Sequence, residues 1–325
     1  MRVVGSARGI DIHAPEDAYF SYFNSPYIGH DNGSAIDIYP RHQEWGGEIV
    51  SPVSGRVVAI RKMKMGSPRQ FPTHDWDYGI GIQSEVSETE IVRIMHCEPT
   101  ISEGETLKHG DIIGKAIRSR YFNYWTGPHY HVEILPLNLF RRSSKSYPLS
   151  LVYSFQRQSE SPAPLLDDIE FSISSVTKDH IIGYSMNLGH ADIGNLVGLP
   201  ALGTDECVTG ILDGGLSHYS IGGVIGASEL PVGSQVYLFD TPVGTVSETK
   251  LGASLFRRGP SIEPFLDKTK IRGLSCFIYT KHYTRKQIPQ LILIPEEYGQ
   301  FLEIFQEGDL CKLHIRCDSN TVIAD

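Results

Sequence analysis

The sequence has few of the features that mark a secreted, membrane-spanning or disulfide-linked protein. Its 325 residues include only five cysteines, an odd number. None of them form a Cys-x-x-Cys pair, so a disulfide framework is not expected. No apolar run approaches the ~18 residues that a membrane span requires. Residues 1–17 lack the basic end and apolar stretch of a secretory signal. These absences predict a cytoplasmic protein.

Positive charge is also scarce. The chain has 29 Lys and Arg against 38 Asp and Glu, which gives a net charge of −9. This balance argues against partners such as nucleic acid or an anionic membrane, which bind proteins through bulk positive charge. Apolar residues make up 40% of the chain, which is enough for a packed core. The length suggests two domains or one large one.

Residues typical of strands and turns dominate the composition. There are 32 glycines, 19 prolines and 16 tyrosines, and together with β-branched runs they favour strands over helices. In the first half we predict short strands separated by turns, at residues 56–60, 78–83, 90–96, 111–117 and 129–135. A stretch rich in Ser, Gln, Glu and Pro then has little to bury, and we interpret residues 154–166 as a linker.

The second half has the same character with one exception. Strands are predicted at residues 169–175, 235–239, 274–279 and 291–294, and a single helix at 296–305. We therefore expect a mainly β protein made of two domains. Its predicted parts are a first β-sheet domain (1–153), the linker (154–166) and a second, β-rich α+β domain (167–325).

The strongest chemical signal is the pair His129 and His131. Side chains two residues apart in a strand point to the same face, so His129, His131 and Glu133 would share one face. Two neighbouring imidazoles can share a metal, or one can bind it while the other handles protons. The alternative is that both are polar residues on a solvated strand face. Glu133 either orients a ligating imidazole or only solvates that face, and we expect the second role.

A second segment places His30 seven residues before Asp37. A regular strand would send these two side chains to opposite faces, but the turn-forming residues 31–34 let them converge. A nitrogen and a carboxylate from this segment, with an imidazole from the other, make a three-ligand set. Such a set leaves the fourth tetrahedral position open, as a catalytic zinc site requires. By contrast, we interpret the His and Asp residues of 74–77 as an ordinary polar turn.

In their order along the chain, these segments resemble the M23 (lysostaphin/LytM-type) zinc metallopeptidases over residues 25–140. Further parts of the chain contribute to the resemblance. They are the Ser-Pro-Val-Ser-Gly-Arg-Val-Val run at 51–58, the stretch at 103–114 that contains Gly110-Asp111, the Gly127-Pro128 turn before the histidine pair, and His96.

The resemblance implies an M23-like antiparallel sheet and a zinc cofactor. It implies that His30, Asp37 and His131 are the zinc ligands, and that His96 and His129 are unligated catalytic residues. The implied activity is zinc-dependent hydrolysis of a peptide or other amide substrate, as in a metallo-endopeptidase. Two alternatives remain open. One is a catalytically inactive zinc-binding interaction module. The other is a hybrid-barrel carrier or phosphotransfer-like domain, which shares the Ser-Pro-Val-x-Gly-x-Val signature.

Overall fold

The computed structural model describes most of the chain, and it separates into two compact units. The first unit consists of Met1–Tyr22 and Tyr27–Val152, and the second of Phe23–Pro26 and Tyr153–Asp325. The predicted linker at 154–166 lies outside the described residues. The described residues are 1–41, 44–151, 169–204, 207–226, 229–250, 252–259, 262–281 and 290–317.

The described part of the first unit is almost entirely β-structure. It has one short α-helix, α1 (Ile28–Asp31), and two 3-10 helices, Leu137–Leu139 and Ser143–Lys145. Its strands are β1 (Arg2–Ala7), β2 (Ile10–Ala14), β3 (Tyr19–Ser21), β4 (Ala35–Tyr39), β5 (Glu48–Val50), β6 (Gly55–Lys64), β7 (Trp76–Ser84), β8 (Glu90–Met95), β9 (Cys97–Pro99), β10 (Thr106–Leu107), β11 (Ile112–Ala116) and β12 (Tyr130–Pro136).

Seven strands of this unit pair antiparallel in the order β10-β6-β7-β8-β12-β4-β3. A three-stranded sheet, β5-β11-β9, and a hairpin, β1-β2, complete it. The central strand β12 lies between β8 and β4 and is buried from its first residue to the sixth. Because both of its faces are covered, every polar side chain on it needs a partner. That requirement positions the site described below.

The second unit is also built from antiparallel strands, with one 3-10 helix, Gln300–Glu303, in its described residues. Its strands are β13 (Ile169–Val176), β14 (Ile181–Ser185), β15 (Ala191–Ile193), β16 (Leu196–Gly198), β17 (Pro200–Leu202), β18 (Val208–Leu216), β19 (Ile221–Gly226), β20 (Gln235–Leu238), β21 (Thr241–Lys250), β22 (Ala253–Arg258), β23 (Ile262–Leu266), β24 (Thr269–Cys276), β25 (Ile278–Thr280), β26 (Gln290–Pro295) and β27 (Leu310–Cys317).

Twelve of these strands form two closed rings of six. The order β17-β20-β21-β22-β19-β18 is closed by the pairing of β17 with β18, and β24-β23-β27-β13-β14-β26 by the pairing of β24 with β26. The rings are joined where β18 pairs with β24. Buried apolar side chains from both rings, such as Leu212, Phe256, Phe171 and Leu293, belong to one continuous core cluster. Strands β25, β16 and β15 pair antiparallel with one another in that order.

The structure confirms the prediction of a mainly β protein, since 55% of the residues that it describes are in strands and 5% in helices. The predicted helix at 296–305 is wrong, because only Gln300–Glu303 is helical there and its geometry is 3-10. The physical reason is Gly299, whose φ of 89° is left-handed and interrupts any right-handed helix.

Two expectations that rested on what the sequence lacks can be compared with the structure. The structure describes the side chains of four cysteines, Cys97, Cys207, Cys276 and Cys311, and none of these four forms a disulfide bond. Among the described residues, the helices are all too short or too polar to cross a membrane.

Packing in the first ring of the second unit yields a stability prediction. A methyl group added at Gly222 would lie 2.4 Å from Phe256 Cζ, and the Phe256 ring is buried. We expect Gly222→Ala to lower the free energy of unfolding by about 1–3 kcal/mol through overpacking. Denaturant titration of the full chain measures this. Gly189→Ala is the matched control, since nothing lies within 4 Å of its added methyl group.

The cause can be tested by combining Gly222→Ala with Phe256→Leu. The smaller side chain leaves room for the methyl group, so the cost of Gly222→Ala should shrink in that background. An unchanged cost would show that the ring contact is not what excludes a side chain at Gly222.

Candidate metal centre

Three side chains of the first unit meet at the centre of its main sheet. Asp37 and His131 lie directly opposite each other in the register of β4 and β12, which brings their side chains together. His30 reaches them from α1, because the chain turns back through Asn32 and Gly33, whose φ is 63°. The amide N–H groups of Gly33 and Ser34 donate to the carbonyls of His30 and Gly29 and close that turn.

The three side chains present one potential ligand atom each to a common point. His30 Nε2 lies 3.2 Å from His131 Nδ1 and 3.3 Å from Asp37 Oδ1, and His131 Nδ1 lies 2.8 Å from Asp37 Oδ1. All three residues are buried. Two imidazole nitrogens and a carboxylate oxygen in this arrangement could hold a metal ion.

The imidazoles of His30 and His131 each use one ring nitrogen for a contact outside the three-residue group. The other ring nitrogen of each therefore faces the group. His30 Nδ1 donates to the carbonyl oxygen of Tyr22 at 2.7 Å, so Nε2 carries the lone pair that a metal needs. His131 Nε2 faces Glu133 Oε1 at 3.3 Å, which leaves Nδ1 on the side of Asp37. Second contacts of this kind orient metal-ligating histidines.

The centre favours positive charge. Burial alone would lower the pKa of His131, but hydrogen bonds and charge from Asp37 and Glu133 outweigh it and raise that pKa to about 9. Burial likewise would raise the pKa of Asp37, whereas the neighbouring imidazoles of His30, His129 and His131 hold it well below its usual value. The two carboxylates thus favour a positive charge at His131 Nδ1, and a proton and a metal ion would compete for that nitrogen.

Glu133 is fully buried, so the expectation that it solvates a strand face is wrong. Its carboxylate forms an ion pair with Arg93, which lies opposite it in the register of β8 and β12. Burial would raise the pKa of Glu133, but the contacts with His131 and Arg93 lower it to about 2. Gly29 is required here, since a Cβ at that position would lie 2.4 Å from Glu133 Oε1. Glu133 therefore connects His131 to Arg93.

His129 lies beside the three-residue group without joining it. Its Nδ1 donates to the carbonyl oxygen of Gly127 at 2.8 Å, and its Nε2 lies 3.6 Å from Asp37 Oδ2. Burial lowers the pKa of His129 to about 4, although the charge of Asp37 opposes that effect. The rings of Tyr39 and Phe122 pack against it, with centroids 4.9 and 5.2 Å away. The imidazole is therefore neutral near pH 7.

His96 approaches the centre from the end of β8. Its ring centroid lies 5.3 Å from that of His129 and 6.1 Å from that of His131. Its backbone has a φ of 66°, which is uncommon for a residue with a side chain. Asp77 contacts His96 twice, with Oδ2 2.7 Å from the ring Nδ1 and Oδ1 3.1 Å from the backbone N–H.

Asp77 is a site residue that the sequence pattern does not reveal. A polar turn at 74–77 is not what Asp77 belongs to, because it lies in β7 and is fully buried. Burial would raise its pKa, but His96, Ser119 and the backbone N–H of Tyr78 lower it, so it stays a carboxylate. Strand pairing alone would not have found it. Gly79 pairs with Met95, so a regular hairpin of 78–83 with 90–96 would place Tyr78 opposite His96 and turn the Asp77 side chain to the other face. The left-handed backbone at His96 breaks that alternation.

Two family models match the chain. Residues 12–151 match the Domain of unknown function (DUF8155) N-terminal domain, and residues 184–293 match the DUF8155 C-terminal domain. No curated protein matches.

Three solved structures are similar at low scores. A zinc-containing peptidase from Vibrio cholerae is 18% identical with a TM-score of 0.25, over 45% of this chain and 39% of that one. The chain thus spans well under half of that peptidase. Lysostaphin in solution is 14% identical with a TM-score of 0.29, and lysostaphin from Staphylococcus simulans, an antimicrobial peptidase, is 13% identical with a TM-score of 0.27. Both alignments cover 76% of this chain and 98% of lysostaphin. Similarity at this level carries no conclusion on activity, which depends on the centre itself.

The buried ion pair next to the centre yields a prediction. Arg93→Met leaves the Glu133 carboxylate buried without its cation, which should cost about 3–5 kcal/mol of unfolding free energy. Adding Glu133→Gln removes the unpaired buried carboxylate, so the double variant should be more stable than Arg93→Met alone. Denaturant titration of the full chain measures both.

Arg61→Met is the control, since its ion pair with Glu103 is half exposed on both sides and should contribute about 1 kcal/mol or less. Equal losses at Arg93 and Arg61, or a double variant less stable than Arg93→Met, would contradict the account of Glu133 as a charge held by Arg93.

Proposed function

We propose that the first unit is a zinc-dependent hydrolase of amide bonds, acting on peptides as a metallo-endopeptidase does. In this proposal His30, Asp37 and His131 are the metal ligands, and His96 and His129 are the unligated residues that act on substrate. The observation that carries it is the triangle of three buried ligand atoms with edges of 2.8, 3.2 and 3.3 Å.

The triangle fits zinc in size and chemistry. Ligand atoms about 2.0–2.1 Å from a tetrahedral zinc lie about 3.3 Å from one another, and the edges observed here approach that value. Zinc accepts nitrogen and carboxylate oxygen ligands together. Three protein ligands are typical of catalytic rather than structural zinc, because the fourth position stays open to water or substrate.

The chemistry that zinc supplies when bound is polarisation of a carbonyl group and activation of water. The chain itself supplies the proton transfers. His129 is neutral and its Nδ1–H is taken by Gly127, so its Nε2 can accept a proton from the attacking water and later donate it to the leaving nitrogen. Nε2 of His96, whose Nδ1 faces the Asp77 carboxylate, can accept a hydrogen bond from the second hydrogen of that water and hold the water for attack.

The alternatives are less well supported by the geometry. A zinc site that only stabilises the fold is closed by four protein ligands, and it has no need of two buried, unligated imidazoles. In a phosphotransfer module, the histidine would have to carry a negatively charged phosphoryl group. The Asp37 carboxylate lies 2.8 Å from His131 and 3.6 Å from His129, and would repel that group from either imidazole.

Metal content tests the ligand set. The purified full chain should contain about one zinc per molecule by elemental analysis, and Asp37→Ala and His131→Ala should lower this at least tenfold, since each removes one of three ligands. His74→Ala is the control, because His74 is an exposed imidazole outside the group. Equal zinc in wild type and both ligand variants would contradict the proposal, provided that circular dichroism shows each variant folded.

Cleavage of a mixture of unstructured peptides, followed by mass spectrometry, tests the activity. His129→Ala should keep its zinc and lose roughly 10²-fold or more in kcat, as removal of a general base does. A chelator should abolish cleavage and added zinc should restore it. A wild-type chain that binds zinc and cuts none of the peptides would favour the inactive binding module instead.

A further inference from the structure

We propose that Asp77 is a positioning residue for the reaction, which holds His96 in the tautomer with hydrogen on Nδ1 and leaves Nε2 for the attacking water. The inference rests on the proposed function and adds to it a residue outside the metal ligands and the two unligated histidines. It is carried by the pattern of contacts that Asp77 makes.

The two oxygens of the Asp77 carboxylate have separate tasks. Oδ1 accepts from two backbone N–H groups, those of Tyr78 at 2.7 Å and His96 at 3.1 Å. Oδ2 lies 2.7 Å from the His96 ring Nδ1 and accepts from the Ser119 hydroxyl at 2.7 Å. One oxygen thus fixes the backbone around His96, and the other fixes its ring.

The ring contact determines the tautomer. A carboxylate can only accept a hydrogen bond, so His96 Nδ1 must carry the hydrogen. Nε2 is then the ring nitrogen that remains for the centre, where the rings of His129 and His131 lie. A third group that orients a working imidazole through its other nitrogen is a general device of acid–base catalysis.

Asp77 is fully buried. In the part of the chain that the structure describes, its hydrogen bonds are with Tyr78, His96 and Ser119, none of which is a proposed metal ligand. It therefore acts on the reaction only through His96. A purely structural role is the competing account, because the same carboxylate also stabilises the left-handed backbone at His96 and the turn at Ser119.

Asp77→Asn separates the two accounts. The amide oxygen can still accept from the backbone N–H groups of Tyr78 and His96, so the backbone support is kept. The amide NH₂ then faces His96 Nδ1 as a donor, which forces the hydrogen to Nε2. We expect zinc content and the thermal midpoint to stay close to wild type, kcat to fall roughly 10²-fold, and KM to change less than about twofold. Asp75→Asn, two residues earlier, is the matched control and should leave kcat unchanged.

A double-variant cycle tests whether the effect passes through His96. In the His96→Ala background, Asp77→Asn should cause no further loss of kcat beyond about twofold. A full additional loss in that background would overturn the proposal and assign Asp77 a structural role.

The tautomer is measured directly by long-range ¹H–¹⁵N correlation of the His96 ring in the zinc-loaded full chain. Wild type should show a protonated Nδ1 and Asp77→Asn an unprotonated one. An unprotonated Nδ1 in wild type would overturn the proposal even if Asp77→Asn failed to fold, and so would a protonated Nδ1 in the variant. Absence of hydrolysis by wild type would contradict the proposed function alone, since the tautomer is read without activity.

Discussion

The first unit depends on a carboxylate, that of Asp37, buried among imidazoles at the centre of a sheet. Removing an ionised carboxylate from water costs several kcal/mol unless it is paired and hydrogen-bonded. His30, His129 and His131 all lie within 3.6 Å of it and meet that requirement. Their nitrogens are the groups that also bind metals and move protons, so the contacts that make the burial possible are the same contacts that make the site chemically capable.

The pairing of buried charges continues beyond Asp37, from His131 to Glu133 and from Glu133 to Arg93. The charge that Asp37 draws onto His131 is matched on the far side of the ring by Glu133, and Glu133 is matched by Arg93. Positive and negative groups thus alternate from Asp37 to Arg93 along one face of the sheet, and each is buried against the next. This series of charge pairs fixes the orientation of the His131 ring, because rotation of the ring would leave the buried carboxylate of Asp37 or of Glu133 without its partner.

The sequence predicts those parts of the fold and site that depend on local geometry. Strand content follows from composition, and the approach of His30 to Asp37 follows from the turn at 31–34. The burial of Glu133 is not local, because it depends on Arg93 from another strand and on the missing side chain at Gly29. The contact between Asp77 and His96 depends on strand pairing and on a left-handed backbone that sequence patterns do not reveal. Their catalytic and ligand roles remain predictions.

Register ties the parts of the site to one another. On β12, His131 lies opposite both Asp37 of β4 and Met95 of β8, and His96 follows Met95 directly. A slip of one residue in either pairing would turn the side chains of that strand to the opposite face. The Asp37 carboxylate, the histidine pair and the facing His96 are therefore positioned by two strand pairings rather than by independent loops. Because those pairings lie in the interior of the sheet, the apolar residues that fill its core also hold the polar centre in its geometry.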